Sequence, residues 1–243
     1  MSDAPAMPQE SGPDAEAVRR GQEERLEKVW ETPGGWRYWS AVNNTEVGIW
    51  YTATSFVFML FAGVLGLMVR VQLAVPENDF LTANFYNQVF TLHGTVMMFL
   101  FAVPIFEAVA IVLLPQMLGA RDLPFPRLSA FGYWCFLIGG VFVSGSIFFG
   151  AAPGGGWFMY PPLTTQERFM PGYGPDIWLL GLSFIEVASI AAAVEQQNAA
   201  TGEISRAVGE AARGTAGLQE TVREVAGAAG RSGEADERRG EVA

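Results

Sequence analysis

Four long apolar runs constrain this chain more than any other feature of its sequence. They cover residues 47–69, 89–118, 128–150 and 177–194. The first run holds 23 residues without a charge, and at ~1.5 Å rise per residue such a helix crosses a ~30 Å hydrocarbon core. The fourth is the shortest and has an acid at its middle. The runs predict an all-α integral membrane protein with about four transmembrane helices, residues 47–190 forming the membrane domain.

The segments around these runs are polar or rich in glycine and proline. Residues 1–46 form a predicted cytoplasmic N-terminal segment, mostly disordered, with residues 1–28 disordered or loosely helical because they contain few large apolar groups. Residues 151–174 are expected to form an irregular loop, and Pro104 and Pro115 are expected to kink the second helix. The formal net charge of −10 and the lack of a basic patch argue against nucleic-acid binding.

The placement of lysine and arginine predicts the orientation in the membrane. With the N-terminus in the cytoplasm, five basic residues near the spans lie inside and two lie outside. This bias favours cytoplasmic N- and C-termini in a multi-pass protein. The inner set is Lys28, Arg37, Arg121, Arg127 and Arg206, and the outer set is Arg70 and Arg168.

A heptad seam follows the last apolar run. Its members are spaced alternately by four and three residues over five repeats, which is the pattern of a coiled coil. We therefore predict a coiled-coil helix over residues 191–226, with possible self-association, and a disordered tail over residues 227–243. The seam consists of Ile190, Val194, Gln197, Thr201, Ile204, Val208, Ala211, Thr215, Leu218, Val222 and Val225.

The single histidine, His93, is the main candidate for a functional site. It lies near the start of the second apolar run, and an intramembrane histidine faces either a cofactor or a hydrogen-bonding group on another helix. Glu107 and Glu186 are expected to face neighbouring helices as protonated acids, since a charged carboxylate in hydrocarbon is unfavourable. The single cysteine, Cys135, is expected to act as a small buried hydrophobe. One histidine and one cysteine do not make a self-contained zinc site.

Four motifs in order resemble the haem-copper oxidase family. They are TLHGTVMM at residues 91–98, GARDLPFPRL at 119–128, GWFMYPPL at 156–163 and DIW at 176–178. Within residues 43–181, and over about residues 30–190 in all, the chain resembles the N-terminal part of cytochrome c oxidase subunit I. One departure is that the second half of the second helix has no asparagine and is one residue shorter than is usual in the family.

The resemblance implies roles for five residues. It implies that His93 is an axial ligand of the iron of haem a, and that Arg70 hydrogen-bonds the formyl group of that haem. Trp157 is then the tryptophan near the haem propionates, and Tyr86 lies close to the haem. Asp122 corresponds to the acid at the inner mouth of a proton pathway, and the alternative from the sequence alone is a solvated loop acid.

The resemblance also implies what this chain would do and lack. The family transfers electrons from cytochrome c to oxygen in aerobic respiration and translocates protons, with membrane lipid, cytochrome c and other oxidase subunits as partners in the bacterial inner (plasma) membrane. Its chemistry needs six histidines, and this chain has one. We therefore expect no copper site and no high-spin haem site here, and a truncated subunit that is not catalytic alone. Whether the chain is an enzyme stays open.

The C-terminal region resembles a different family. The sequence AAVEQQNAATGEIS at residues 192–205 is similar to the C-terminal end of a methyl-accepting chemotaxis protein, in which glutamate and glutamine residues are methylated. For Glu195 and Gln196 we expect a solvated helix face and not methylation. The alternative function for the whole chain is therefore a membrane-anchored coiled coil for interaction or chemotaxis-type signalling.

Overall fold

The structure, a computed structural model, describes residues 13–240. Its contacts divide the chain into two compact units, and the boundary between them in the sequence lies between Ala41 and Val42. The first unit holds helix α1, Pro13–Trp30, and a 3-10 helix, Gly35–Ser40. Much of α1 falls in residues that were predicted to be disordered or loosely helical, and its ion pairs one turn apart, such as Arg20 with Glu16 at 3.1 Å, support a helix without a buried core. The predicted disorder before residue 13 lies outside the described residues.

The second unit holds the apolar helices. Four of them are long and apolar enough to cross a membrane, which confirms the predicted number of spans. In chain order the elements are α2, Asn44–Gln72; α3, Ala83–Thr95; a π-helical turn, Val96–Ala102; α4, Val103–Met117; α5, Pro126–Gly145; a 3-10 turn, Ser146–Phe149; and α6, Gly174–Gly240. The second span is α3, the π-helical turn and α4 in succession, Ala83–Met117.

The second span is irregular next to Pro104. The π-helical turn, Val96–Ala102, ends two residues before that proline. Proline has no N–H to donate to the carbonyl four residues earlier, and its ring clashes with that carbonyl, so wider turns occur at such positions. The irregularity that the sequence predicted at Pro104 is therefore present as a π-helical segment. Pro115 lies inside the last turns of α4.

Glycine permits a close contact between helices α5 and α6. A Cβ atom built on Gly139 would lie 2.6 Å from the Gly181 carbonyl oxygen, and one built on Gly181 would lie 2.2 Å from Val143 Cγ2. Small residues at such crossings let backbones approach within a membrane, where van der Waals packing drives association. Cys135 lies on α5 and is buried, as the sequence predicted. The packing of α5 against α6 thereby fixes where the loop between them begins and ends.

Helix α6 is longer than the sequence predicted. It continues without a break through residues 190 and 226, where we had placed the ends of the membrane domain and of the coiled-coil helix, and it reaches Gly240. The prediction of disorder after residue 226 rested on the lack of large apolar groups. It did not weigh alanine, glutamate and arginine, which are common there and have high helix propensity.

Candidate functional site

His93 joins two membrane helices. It lies on α3, and its Nδ1 atom is 2.9 Å from the carbonyl oxygen of Ala62 on α2. The ring also lies against Gly66, where a Cβ atom would come within 3.0 Å of His93 Cε1. Any side chain larger than that of glycine at residue 66 would require the imidazole to move by a few tenths of an ångström. The sequence left two possibilities for His93, a cofactor or a group on another helix, and the structure shows the contact with the other helix.

That contact also decides which ring nitrogen carries the proton. A carbonyl oxygen can only accept, so Nδ1 must donate to Ala62, and the neutral ring then has its lone pair on Nε2. Metal-binding histidines commonly donate their second ring N–H to a carbonyl in this way, because the bond fixes the tautomer and the ring orientation. This arrangement suits metal or haem-iron binding, in which Nε2 of the half-buried His93 would be the ligand atom.

Arg70 and Tyr86 lie at the same end of the unit as His93. Arg70 is one helical turn beyond Gly66 on α2, and Tyr86 is two turns before His93 on α3. Residues at these spacings share a face of their helix. Arg70 is exposed and Tyr86 is half-buried.

Trp157 is brought to the same place by the loop after α5. Its ring packs on Gly94, where a Cβ atom would lie 2.8 Å from Trp157 Cδ1, and its ring centroid is 6.3 Å from that of Phe99. The backbone N–H of Gly156 donates to Thr91 Oγ1 at 2.8 Å, which holds the loop on α3 just before the tryptophan. The motifs around residues 91–98 and 156–163, distant in sequence, thus form one contact.

Asp122 lies at the other end of the unit. Its Oδ1 atom accepts from the backbone N–H of Asn44 at 3.0 Å, which adds an acceptor at the first turn of α2 beside the N-cap side chain of Asn43. The 22 residues between Asn44 and Gly66 correspond to about 33 Å of helix, which puts Asp122 and His93 toward opposite ends of the bundle, as the sequence order predicted. Asp122 is half-buried, whereas the simplest expectation was a solvated loop acid.

The buried acids are arranged differently from our expectation. Glu107 on α4 is 8% exposed and faces Ser189 on α6, as expected for a protonated acid against a neighbouring helix. Glu186, also on α6, is near enough to interact with Glu107 but is itself exposed. Glu195 was expected on a solvated face, and this was wrong: it is fully buried, and its Oε2 atom accepts from the backbone N–H of Phe125 at 3.1 Å.

The role of Glu195 is one that the sequence analysis missed. Phe125 precedes α5 and has no side-chain cap of its own, so the carboxylate of α6 supplies the acceptor that a local side chain usually gives. The available signal was the unusual start of α5, where Pro126 follows an aromatic residue and not Ser, Thr, Asp or Asn. A loop that ends without its own cap requires an acceptor from another element.

The fold and the site define a class: an α-helical membrane protein whose second span carries a histidine that is hydrogen-bonded to the first. Residues 46–198 match the family described as Cytochrome C and Quinol oxidase polypeptide I. This match extends over more than half of the chain, and the chain belongs to that family.

Individual relatives agree with the family match. The chain is 40% identical over 181 residues to putative cytochrome c oxidase subunit 1-beta of Streptomyces avermitilis, which covers 74% of this chain and 31% of the relative. It is 39% identical over 159 residues to cytochrome c oxidase subunit 1 of Bacillus subtilis, covering 65% and 25%. Quinol oxidase subunit 1 of Bacillus subtilis is 36% identical over 156 residues, covering 64% and 24%. The chain thus spans about a third or less of the length of these relatives.

Proposed function

We propose that this chain is a subunit I-like component of a respiratory oxidase in which His93 binds the iron of haem a. The observation that carries the proposal is the hydrogen bond from His93 Nδ1 to the Ala62 carbonyl, which leaves Nε2 as the ligand atom. The half-buried state of the ring supports access from outside the helix pair.

The other site residues would hold the periphery of the haem. When bound, a haem supplies one-electron transfer, and the protein sets its potential through ligand identity, hydrogen bonds and burial. In this proposal the Arg70 guanidinium donates to the formyl oxygen, the Trp157 indole lies by the propionates, and Tyr86 packs near the ring. The Ala62 carbonyl holds the imidazole in place and makes Nε2 a stronger donor to iron.

An optical spectrum of the purified full chain, produced in cells that make haem a, tests the proposal. We expect a Soret band at one haem per chain, and its loss in His93→Ala. Tyr86→Phe is the matched control, because it keeps an aromatic ring on the same helix face and removes no iron ligand. A Soret band of equal intensity in His93→Ala, or none in the unaltered chain, would overturn the proposal.

The finer assignments follow from the same family relationship. We infer a bacterial inner-membrane location with both termini in the cytoplasm, electron delivery from cytochrome c, and assembly with other oxidase subunits. The relatives include both cytochrome c oxidases and a quinol oxidase. Comparing the rate at which cytochrome c reduces the haem with the rate at which a quinol does so therefore identifies the electron donor. Asp122 would take up protons at the cytoplasmic side.

A second candidate function concerns residues 191–226. The family match ends at residue 198, and α6 is exposed over almost all of its length from residue 200 to residue 227. We infer that this segment is an interaction helix, similar to the end of a chemotaxis receptor, that can pair with intact receptors. Co-purification of chemoreceptors with the full chain, lost when residues 200–243 are removed, is the expected result. Equal recovery without the segment would contradict the inference.

A further inference from the structure

Helix α6 carries two stripes of residues on opposite faces, and most members of each stripe are small or apolar. Both stripes have alternating spacings of four and three residues, and at ~100° per residue their centres are roughly 150° apart. The first stripe is buried against the rest of the bundle and consists of Gly181, Ile185, Ala188, Ala192, Glu195 and Ala199. The second is the heptad seam from Ile190 to Val225. The two overlap between residues 190 and 199, so the seam begins while α6 still packs against the bundle with its other face.

The seam is exposed along its whole length in the described chain. Its larger aliphatic members are Ile204 at 63%, Val208 at 62%, Leu218 at 68%, Val222 at 66% and Val225 at 63% exposed. Such side chains in solitary positions are ordinary on a protein surface. A continuous row at heptad spacing is not, because it presents one apolar strip that another helix can cover.

Charge is excluded from the seam and from both of its borders. If Val208 is labelled position a of the heptad, every charged residue between 200 and 226 occupies b, c or f, on the far side of the helix. The bordering positions e and g hold only Asn, Ser, Ala, Gln, Thr and Gly. The charged residues are Glu203, Arg206, Glu210, Arg213, Glu220, Arg223 and Glu224.

We propose that this seam is the interface between two copies of the chain, which pair in parallel and in register. Two copies in one membrane send α6 out on the same side, so their exposed helices run parallel. In that arrangement each polar seam residue lies opposite the same residue of the other copy. Thr201, Thr215 and Gln197 then each face an identical polar side chain. The small residues at e and g allow close approach, and they place no like charges opposite each other when two identical chains pair in register.

The area of the seam is sufficient for a specific pair. Burying an aliphatic side chain removes about 60–120 Å² of apolar surface from water. Five such residues on each of two helices therefore remove roughly 600–1,200 Å². This range excludes the alanine and threonine positions, and its upper part reaches the ~1,000–1,200 Å² at which specific interfaces begin. Because the buried stripe lies on the other face, pairing displaces none of the α6 contacts with α5.

Cysteine cross-linking of the full chain in lipid nanodiscs, made from a mixture of tagged and untagged copies, tests the pairing. In a Cys135→Ser background, Ile204→Cys and Val222→Cys should each give an oxidised dimer, whereas the outer-face controls Glu210→Cys and Arg213→Cys should not. The two seam positions are about 27 Å apart along the helix. In an antiparallel pair, at most one of these positions can lie opposite the same position of the other copy. Cross-linking at both positions therefore requires the parallel register.

A mass measurement in detergent gives a second readout. The unaltered chain should have the mass of a dimer or larger assembly, and Leu218→Asp with Val222→Asp should be monomeric. Gly209→Asp with Ala216→Asp adds the same charge on the outer face and should keep the assembly. Monomeric mass for the unaltered chain, cross-links as strong at Glu210→Cys and Arg213→Cys as in the seam, or assembly that survives the seam variant would overturn the proposal. None of these outcomes depends on whether His93 binds haem.

Discussion

The two ends of the helical bundle differ in how completely their buried polar groups are hydrogen-bonded. At the His93 end, Trp178 Nε1 donates to Thr95 Oγ1 at 2.9 Å, and Thr95 Oγ1 donates to the Thr91 carbonyl at 2.9 Å. Thr91 Oγ1 accepts from Gly156 and donates to the Asn87 carbonyl at 2.7 Å. This network ties α3, the loop after α5 and the start of α6 together, and each hydroxyl in it has partners.

At the Asp122 end several buried polar atoms have no hydrogen-bond partner among the described residues. These atoms are both amide atoms of Asn44, the hydroxyl of Ser129 and Oε1 of Glu195. A buried polar group without a partner costs free energy, whereas a paired one contributes a modest gain. Ser144 Oγ, in the last turn of α5 near the His93 end, also has no partner among the described residues. The two ends therefore differ in degree, and substitutions at each end can test that difference.

The largest effect is expected for Thr91→Val at the His93 end. The change keeps the volume but leaves the buried N–H of Gly156 without its acceptor, so the free energy of unfolding should fall by roughly 1–2 kcal/mol. Unfolding in mixed detergent micelles measures this. The loop after α5 should also open to trypsin at Arg168, its only basic residue.

Thr91→Ser is the control for that prediction. It keeps the hydroxyl that binds Gly156, so the stability and the cleavage at Arg168 should stay close to those of the unaltered chain. If Thr91→Val were no less stable than Thr91→Ser, the network would not be what holds the loop, and the contrast between the two ends would lose its strongest support.

A smaller effect is expected for Asp122→Ala at the opposite end. The change removes the acceptor of the Asn44 N–H but leaves the N-cap side chain of Asn43, and loss of one such hydrogen bond costs about 1 kcal/mol. Asp122→Asn keeps an oxygen acceptor and should lose less than half as much. Equal losses for the two variants in the same unfolding measurement would mean that the charge of Asp122, and not its hydrogen bond, stabilises the helix.

The sequence was sufficient for the spans and for the ends of the bundle at which His93 and Asp122 lie. Run length alone predicts a membrane helix, and the alternation of spans puts their loops on opposite sides. It was not sufficient for Glu195, because helical spacing says which residues share a face but not which face a neighbouring loop will cover. Charge made that face look solvated, whereas the uncapped start of α5 required its carboxylate.

The contact partners of His93 were also beyond the sequence. The apolar run located the histidine within the membrane, and the motif suggested its chemistry. That its Nδ1 would reach Ala62 depends on the close approach that Gly66 allows, and a glycine in an apolar helix has several other possible reasons. The family relationship implies a ligand role but gives no tautomer, which here follows from one carbonyl oxygen.

The smallest effect, and the one that separates the two ends most directly, is expected for Ser129→Ala. Ser129 and Ser146 lie on or directly after α5, at its two ends, and both are buried. Ser146 Oγ donates to the Val143 carbonyl at 2.6 Å, whereas Ser129 Oγ has no partner among the described residues.

Removing the unpartnered hydroxyl also removes its desolvation cost, so Ser129→Ala should change the free energy of unfolding by less than about 0.5 kcal/mol, or raise it. Ser146→Ala should lower it by about 1 kcal/mol. A loss for Ser129→Ala as large as that for Ser146→Ala would show that the hydroxyl at the Asp122 end does stabilise the fold, and the difference between the two ends would not hold.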